Sequence, residues 1–156
     1  MNSPGSSQLV VFVVERQRYA LALAEVERAL PMAAATPLPA APPIVTGVLS
    51  LHGTPLPVVD LRRRLELVPR APRPEDHLLV VHTPRRTLAL CVDEVQGVLE
   101  VPAERITAST AVVPGIGQVA GIVALPDGLL LVHDLDALLS LDEDRQLGAA
   151  LQSAGA

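Results

Sequence analysis

The chain repeats itself, and this internal repeat constrains the fold more than any other feature of the sequence. Residues 9–32 align without a gap on residues 78–101, with eight identical pairs. Residues 47–67 align in the same way on residues 121–141, again with eight identical pairs. The spacing between the copies grows from 69 to 74 residues, so the second copy carries five additional residues in its middle. The sequence therefore predicts two copies of a unit of about 60 residues.

Within each copy, apolar stretches separated by polar turns predict four β-strands. The predicted strands of the first hairpin are residues 9–14 and 19–23, repeated at 78–82 and 87–92. A third and a fourth strand meet at the turn "HGT" in the first copy and "PDG" in the second, and a short helix, "DLRRRLEL" or "DLDALLSL", closes the unit. Many short strands with frequent turns favour small closed sheets. Pro55 and Pro57 place their strand at an edge or a barrel rim, because proline cannot donate a hydrogen bond to a ladder.

The changes in composition along the chain predict where the units begin and end. The segment between the copies holds three prolines and alternating charges, which is typical of a surface linker. The expected organisation is a disordered tail over 1–7, a first unit over 8–67, a linker over 68–76, a second unit over 77–141 and a flexible tail over 146–156.

Composition and charge exclude several classes of partner. The net charge is −5, so neither nucleic acid nor an anionic membrane surface is expected to attract the chain. Phe12 and Tyr19 are the only aromatic residues, which leaves no stacking platform for single-stranded nucleic acid. No apolar run is long enough to cross a bilayer, and the first residues lack the pattern of a signal peptide. We therefore expect a cytoplasmic protein with no membrane insertion.

Two aspartates occupy equivalent places in the two copies, and their position indicates a structural role. Asp60 and Asp134 each lie between a predicted strand and a predicted helix, where an N-cap carboxylate accepts hydrogen bonds from the first helical turn. A residue repeated at a strand–helix junction is better explained as a cap than as a catalytic group.

The remaining reactive residue types form no pattern that indicates catalysis. His52, His77, His82 and His133 have no metal-ligand spacing, so we expect no metal and no cofactor. Cys91 alternates within a strand and is interpreted as a packing residue. The run "LRRRL" is interpreted as a solvated helix face, with a patch that faces a partner as the alternative. No nucleophile–base pair and no paired carboxylates are present, so we do not expect an enzyme.

With the repeat and these motifs in view, the chain resembles the CheW family of bacterial chemotaxis coupling proteins over roughly residues 8–145. The first matching segment is "LVVFVVERQRYALALAEVERAL", which follows the family's succession of strand, turn and helix. The second is "PPIVTGVLSLHGTPLPVVDLRRRL", and the others are "LLVVHTPRRTLALCVDEVQGVLEVPAERI" and "VAGIVALPDGLLLVHDLDALL". Together these segments are specific, although any one of them alone is weak.

The resemblance implies an all-β fold with two SH3-like five-stranded β-barrels, short connecting helices and no catalysis. It implies an adaptor that links the cytoplasmic tips of methyl-accepting chemotaxis receptors to the regulatory domain of a CheA-type histidine kinase. The receptor helix would lie in an apolar groove between the barrels. The positions carried over for that groove are Val26, Leu30, Val95 and Val98, and those for the kinase-facing region are Arg28, Gly47, Val48, Leu51, His52 and Gly53.

Two of these positions depart from the family pattern. The family usually has Glu where this chain has Arg28, and Arg where this chain has His52. These family residues resemble an ion pair that cannot form here with the same polarity, and histidine does not replace a bidentate arginine. The departure favours, as an alternative, a divergent member that binds receptors but has a weakened kinase interface in a motility or developmental pathway. A small β-barrel enzyme or ligand-binding module is a further alternative, which a deep polar pocket would favour.

Overall fold

The computed structural model describes residues 6–108, 112–113 and 117–155, and it is almost entirely β-structure. The strands are β1 Ser6–Val14, β2 Gln17–Ala22, β3 Val26–Pro31, β4 Val45–Leu51, β5 Thr54–Asp60, β6 His77–His82, β7 Thr87–Val92, β8 Glu94–Pro102, β9 Ile106–Ala108, β10 Val112–Val113, β11 Gly117–Leu125 and β12 Gly128–His133. The helices are α1 Leu61–Arg64 and α2 Leu141–Gly155, with single 3-10 turns at Leu23–Glu25, Ala103–Arg105 and Leu135–Ala137.

These strands form two rolled sheets, as expected for two small barrels. The first barrel has the strand order β10-β11-β12-β2-β1-β8, and β9 pairs with a different part of β11. The second barrel has the order β3-β6-β7-β5-β4. Thr36, in the loop after β3, pairs with Val48 of β4 and joins the two ends of this sheet. The second sheet thus has the five strands that the resemblance implies, whereas the first has two additional short ones.

The two barrels do not coincide with the two sequence units, which corrects the expected boundaries. The β1–β2 hairpin of the first copy pairs with β8 and β12 of the second copy. In the same way, the β6–β7 hairpin of the second copy pairs with β3 and β5 of the first copy. Each barrel therefore takes its hairpin from one copy and its remaining strands from the other, and the copies are intertwined.

This exchange buries both faces of the hairpin strands. Leu9 and Val11 of β1 point into the first barrel, whereas Val10 and Phe12 belong to a larger cluster that also includes Leu79 of β6. This shared core lies between the barrels and draws alternate residues from both hairpins. Strands buried on both faces need near-continuous apolar sequence, which explains stretches such as "LVVFVV".

The two prolines of β5 lie at the rim of the barrel, as the sequence predicted, although β5 is not an edge strand of its sheet. β5 lies between β4 and β7. Only Val58–Asp60 pair with β7, so the half of the strand that holds Pro55 and Pro57 has β4 as its sole neighbour in the sheet. The prolines thus occupy the rim, where a missing N–H costs no ladder hydrogen bond.

Two local expectations are wrong. The segment "AEVERAL", where the family resemblance implies a helix, forms no α-helix: a 3-10 turn at Leu23–Glu25 leads directly into β3. The tail over 146–156 is not flexible as far as residue 155, because it belongs to α2, whose Leu147 and Ala150 are buried in the shared core. At the other end, Ser6 and Ser7 lie in β1, while residues 1–5 of the expected tail fall outside the described part of the chain.

Candidate functional site

Two of the four predicted groove residues lie at the surface of the shared core. Val26 begins β3 and Val95 lies near the start of β8, and both are half-buried against the shared core. They are repeat mates and occupy equivalent positions: Val26 pairs with Val81 of the β6–β7 hairpin, and Val95 with Phe12 of the β1–β2 hairpin. Each valine thus lies where one barrel meets the other.

The other two predicted groove residues lie on different surfaces. Leu30 is half-buried and packs against the interior of the second barrel. Val98 is 56% exposed on β8, where it borders a shallow depression that Arg18 and Leu125 also line. The structure therefore brings Val26 and Val95 to the shared core but does not join Leu30 and Val98 to them.

The predicted kinase-facing region centres on the tip of the β4–β5 hairpin. Leu51 pairs with Thr54, so His52 and Gly53 form a two-residue turn, and both have a positive φ, 52° and 83°. Two positive φ values in sequence are typical of a type I′ turn, whose twist matches that of a hairpin. Histidine tolerates this left-handed conformation better than most residues, and its side chain here is exposed.

The remaining residues of this region lie on β4 and on β3. Val48 exchanges hydrogen bonds with Thr36, and Leu51 packs against the interior of the second barrel. A side chain at Gly47 would collide with the carbonyl oxygen of Thr36, so only glycine fits there. Arg28 lies on β3 with its Nε 3.5 Å from a carboxylate oxygen of Glu27. Within the described residues, no hydrogen bond or ion pair links Arg28 to His52.

Asp60 and Asp134, the two aspartates predicted to be caps, each accept a backbone hydrogen bond from the turn that follows them. The carboxylate of Asp60 accepts a hydrogen bond of 3.1 Å from the backbone N–H of Arg62, at the start of α1. Asp134 accepts an equivalent bond of 3.1 Å from the N–H of Asp136. The second copy continues as a 3-10 turn over Leu135–Ala137 and not as an α-helix.

A buried ionic network, which the sequence did not predict, joins the two barrels. Arg62 donates to both carboxylate oxygens of Asp93, at 2.8 and 3.0 Å, and also binds the carboxylate of Glu15 in the β1–β2 turn. Arg70 donates to Asp93 and, through two nitrogens, to the buried carboxylate of Asp76. These hydrogen bonds and charges hold the pKa of Asp76 below its usual value, against the effect of burial.

The sequence suggested that the arginine run on α1 is a solvated face, and the structure shows that it is not. Arg62 is 7% exposed and Arg64 pairs with Glu143 of α2, whereas Arg63 is exposed and donates to the carbonyl of Pro43.

Burial shifts the pKa values of two chemically reactive side chains, the half-buried Cys91 and the buried His133. Cys91 lines a small cavity of about 60 Å³, its Sγ lies 3.8 Å from the sulfur of Met32, and burial raises the pKa of the thiol to about 11. A reactive thiol needs the opposite shift. His133 is 5% exposed, and burial lowers the pKa of its ring to about 4. Over the described residues, no group of histidine, cysteine or carboxylate side chains could hold a metal ion.

Comparison with known proteins gives a consistent result. Residues 8–143 match the family model described as the CheW-like domain. The chain is 28% identical, over 89% of its length and 91% of the relative's, to a probable chemotaxis protein CheW of Rhizobium etli. It is 26% identical, over 88% and 90% of the two lengths, to the chemotaxis protein CheW of Bacillus subtilis.

The crystal structure of the scaffolding protein TtCheW from Thermoanaerobacter tengcongensis shares this fold. It superimposes with a TM-score of 0.80 at 24% identity, and the match covers 88% of this chain and 94% of that one. The segment of α2 after residue 143 lies beyond the family match. None of the helices in the described ranges has the length and apolar character needed to cross a membrane.

Proposed function

This chain belongs to the CheW-like family of chemotaxis adaptor and scaffold proteins, and from that membership we propose that it links chemoreceptor tips to a CheA-type histidine kinase. Its place would be the cytoplasmic receptor array, and its role non-catalytic. The observation that carries the proposal is the pair of repeat-related valines, Val26 and Val95, half-buried at the surface of a core shared by two intertwined barrels.

A receptor helix would use these valines as anchors. An amphipathic helix that binds an apolar groove gains most of its affinity from a few side chains that become fully buried. Val26 and Val95 suit this role because each is already partly enclosed and can lose its remaining exposure to a partner. Leu30 would support β3 from the barrel interior, and Val98 would contribute a peripheral contact.

Replacement of the two anchors tests the receptor site. We expect Val26→Ser and Val95→Ser each to weaken the binding of a receptor cytoplasmic fragment by about tenfold or more, because each removes buried apolar surface. Isothermal titration calorimetry measures the affinity. Leu129→Ser is the matched control, since Leu129 is 52% exposed and lies outside the proposed groove. Unchanged binding by both valine variants would overturn the site.

The kinase-facing site would lie at the β4–β5 hairpin, and we propose that it is weakened in this chain. The support is the joint presence of Arg28 and His52, which share no hydrogen bond or ion pair within the described residues. The double variant Arg28→Glu with His52→Arg restores the polarity usual in the family. We expect it to bind the kinase regulatory domain more tightly than the natural chain does, with receptor affinity unchanged. Micromolar binding by the natural chain would contradict the proposal.

A further inference from the structure

Within the described residues, the chain passes between the barrels at two places, and one of the proposed receptor anchors follows each. The first crossing is the 3-10 turn Leu23–Glu25, between β2 of the first barrel and β3 of the second. The second crossing is the single residue Asp93, between β7 of the second barrel and β8 of the first. Val26 begins β3, and Val95 is the second residue of β8. The separation of the two valines therefore depends on how the barrels are oriented about these crossings.

The two crossings are repeat mates, but they differ in the side chain that can hold them. Ala24 of the first crossing is the mate of Asp93, and its exposed methyl group can make no hydrogen bond. The N–H of Asp93 donates to the carbonyl of Val13 at 2.9 Å, and its carboxylate accepts from the N–H of Glu15 at 2.9 Å. Val13 ends β1 and Glu15 lies in the β1–β2 turn, so these bonds fix the second crossing to the first barrel.

Two arginines tie the same carboxylate to segments that flank strands of the second barrel. Arg62, on the helix that follows β5, donates to both oxygens of Asp93 at 2.8 and 3.0 Å. Arg70, in the linker, donates to Asp93 at 2.9 Å and also binds the buried carboxylate of Asp76, which immediately precedes β6. Hydrogen bonds between ions are stronger than those between neutral groups. The carboxylate of Asp93 therefore joins the hairpin of the first barrel to two cations on the side of the second.

We propose that Asp93 is a positioning residue for the receptor surface. It locks the second crossing and thereby holds Val95 of the first barrel at a fixed distance from Val26 of the second. A partner that binds two anchors at once gains affinity when their spacing is set in advance. Asp93 acts through Val95 and needs no contact with the receptor, and the linker takes part through Arg70. The inference rests on the proposed receptor function and adds the residue that sets the geometry of its site.

Removal of either side of this lock tests the proposal by calorimetry with a receptor cytoplasmic fragment. Asp93→Asn keeps the shape of the side chain and removes its charge, whereas Arg70→Gln removes one of its partners. We expect each variant to raise the dissociation constant by about fivefold. The double variant should bind no more weakly than the weaker single variant, because both substitutions open the same lock. Arg70→Gln decides the matter by itself if Asp93→Asn does not fold.

Limited proteolysis shows whether the lock has opened. In the linker, trypsin can cut after Arg70 but not after Arg73, which precedes Pro74. Because the natural chain holds Arg70 against two carboxylates, cleavage there should be slow. Asp93→Asn should speed it severalfold under conditions in which the protein stays folded. A cleavage rate equal to that of the natural chain would refute the lock.

Two controls separate positioning from a general loss of stability. Asp127→Asn makes the same substitution in an ion pair with Arg18, and both partners belong to the first barrel. Val123→Ala removes a buried side chain from the interior of the first barrel, and so lowers stability without touching a crossing. Both controls should bind the receptor fragment with natural affinity.

The outcomes distinguish this inference from the proposed function. Natural affinity in either Asp93→Asn or Arg70→Gln would overturn the inference alone, provided that Val26→Ser and Val95→Ser still lose binding. Effects that multiply in the double variant would overturn it too, as would an equal loss of affinity in Val123→Ala. Failure of the natural chain to bind the receptor fragment would overturn the proposed function and the inference with it.

Discussion

At the scale of single residues, His133 has the clearest energetic consequence. Its side chain lies at the end of β12 with 5% exposure, and neither ring nitrogen has a hydrogen-bond partner of normal geometry. Burial favours the neutral ring and lowers its pKa from 6.5 to about 4. Its repeat mate is Val59, a fully buried valine, so the equivalent position of the other copy holds an apolar side chain.

The pKa of His133 predicts a loss of stability in mild acid. The folded protein holds this ring neutral down to about pH 4, whereas the unfolded chain protonates it near pH 6.5. Stability should therefore fall as the pH drops from about 6.5 to about 4, by up to about 3 kcal/mol. Urea unfolding at several pH values measures this dependence. His133→Val should remove most of it and His52→Ala should not; an unchanged slope in His133→Val would contradict the assignment.

The role of a residue could be predicted from the sequence where the same residue occurs at the equivalent position of both copies, and not elsewhere. Asp60 and Asp134 stand at the same place in both copies, so their common role as caps could be inferred from the sequence. Arg62 has no such mate, since Asp136 occupies its position in the second copy. Its burial depends on Glu15 and Asp93, which reach it only after the two barrels have come together.

At the scale of elements, α2 shows how a tail of small residues can become part of the core. Its first turn is anchored by Arg64 to Glu143 and by Arg86 to Asp144, at 2.8 Å in the latter pair. Leu147 and Ala150 then enter the shared core. Although α2 follows the last strand of the first barrel, its arginine partners lie on α1 and on the β6–β7 turn, so it ties the two barrels together.

The burial of Leu147 predicts that α2 is required for stability. Leu147→Ala removes a fully buried side chain from the shared core, and we expect it to lower the free energy of unfolding by about 3 kcal/mol. Gln152→Ala, on the exposed side of the same helix, should change it by less than about 0.5 kcal/mol. Chemical denaturation compares the two variants. Equal, small effects would show that α2 is not docked in solution.

The segment around β3 shows why the type of an element was harder to predict than its existence. In "AEVERAL", Val26 and Leu30 stand four residues apart, which suits one face of a helix and also a half-exposed edge strand. In the structure, Val26–Pro31 pair with β6, and this pairing makes the segment a strand and not a helix. That partner belongs to the other copy of the repeat, so no window of local sequence contains the deciding information.

At the scale of the whole molecule, the repeat predicted two barrels but not the exchange of strands between them. A sequence repeat shows that two units share a pattern, and it is silent on which copy supplies each partner strand. Here β1 pairs with β8 and β6 pairs with β3, so neither copy completes a sheet alone. The shared core follows from this exchange, because it leaves the outer faces of both hairpins to pack together.

The strand exchange predicts that the two halves of the chain fold only together. A cut between Ala71 and Pro72, within the segment from α1 to β6, gives one fragment with β1–β5 and another with β6–β12 and α2. Neither fragment holds a complete barrel, so each alone should lack cooperative unfolding, while an equimolar mixture should regain the fold as a one-to-one complex. Circular dichroism and size-exclusion chromatography distinguish these states. A fragment that unfolds cooperatively by itself would show that a single copy can close its own barrel, contrary to the pairing of β12 with β2 and of β5 with β7.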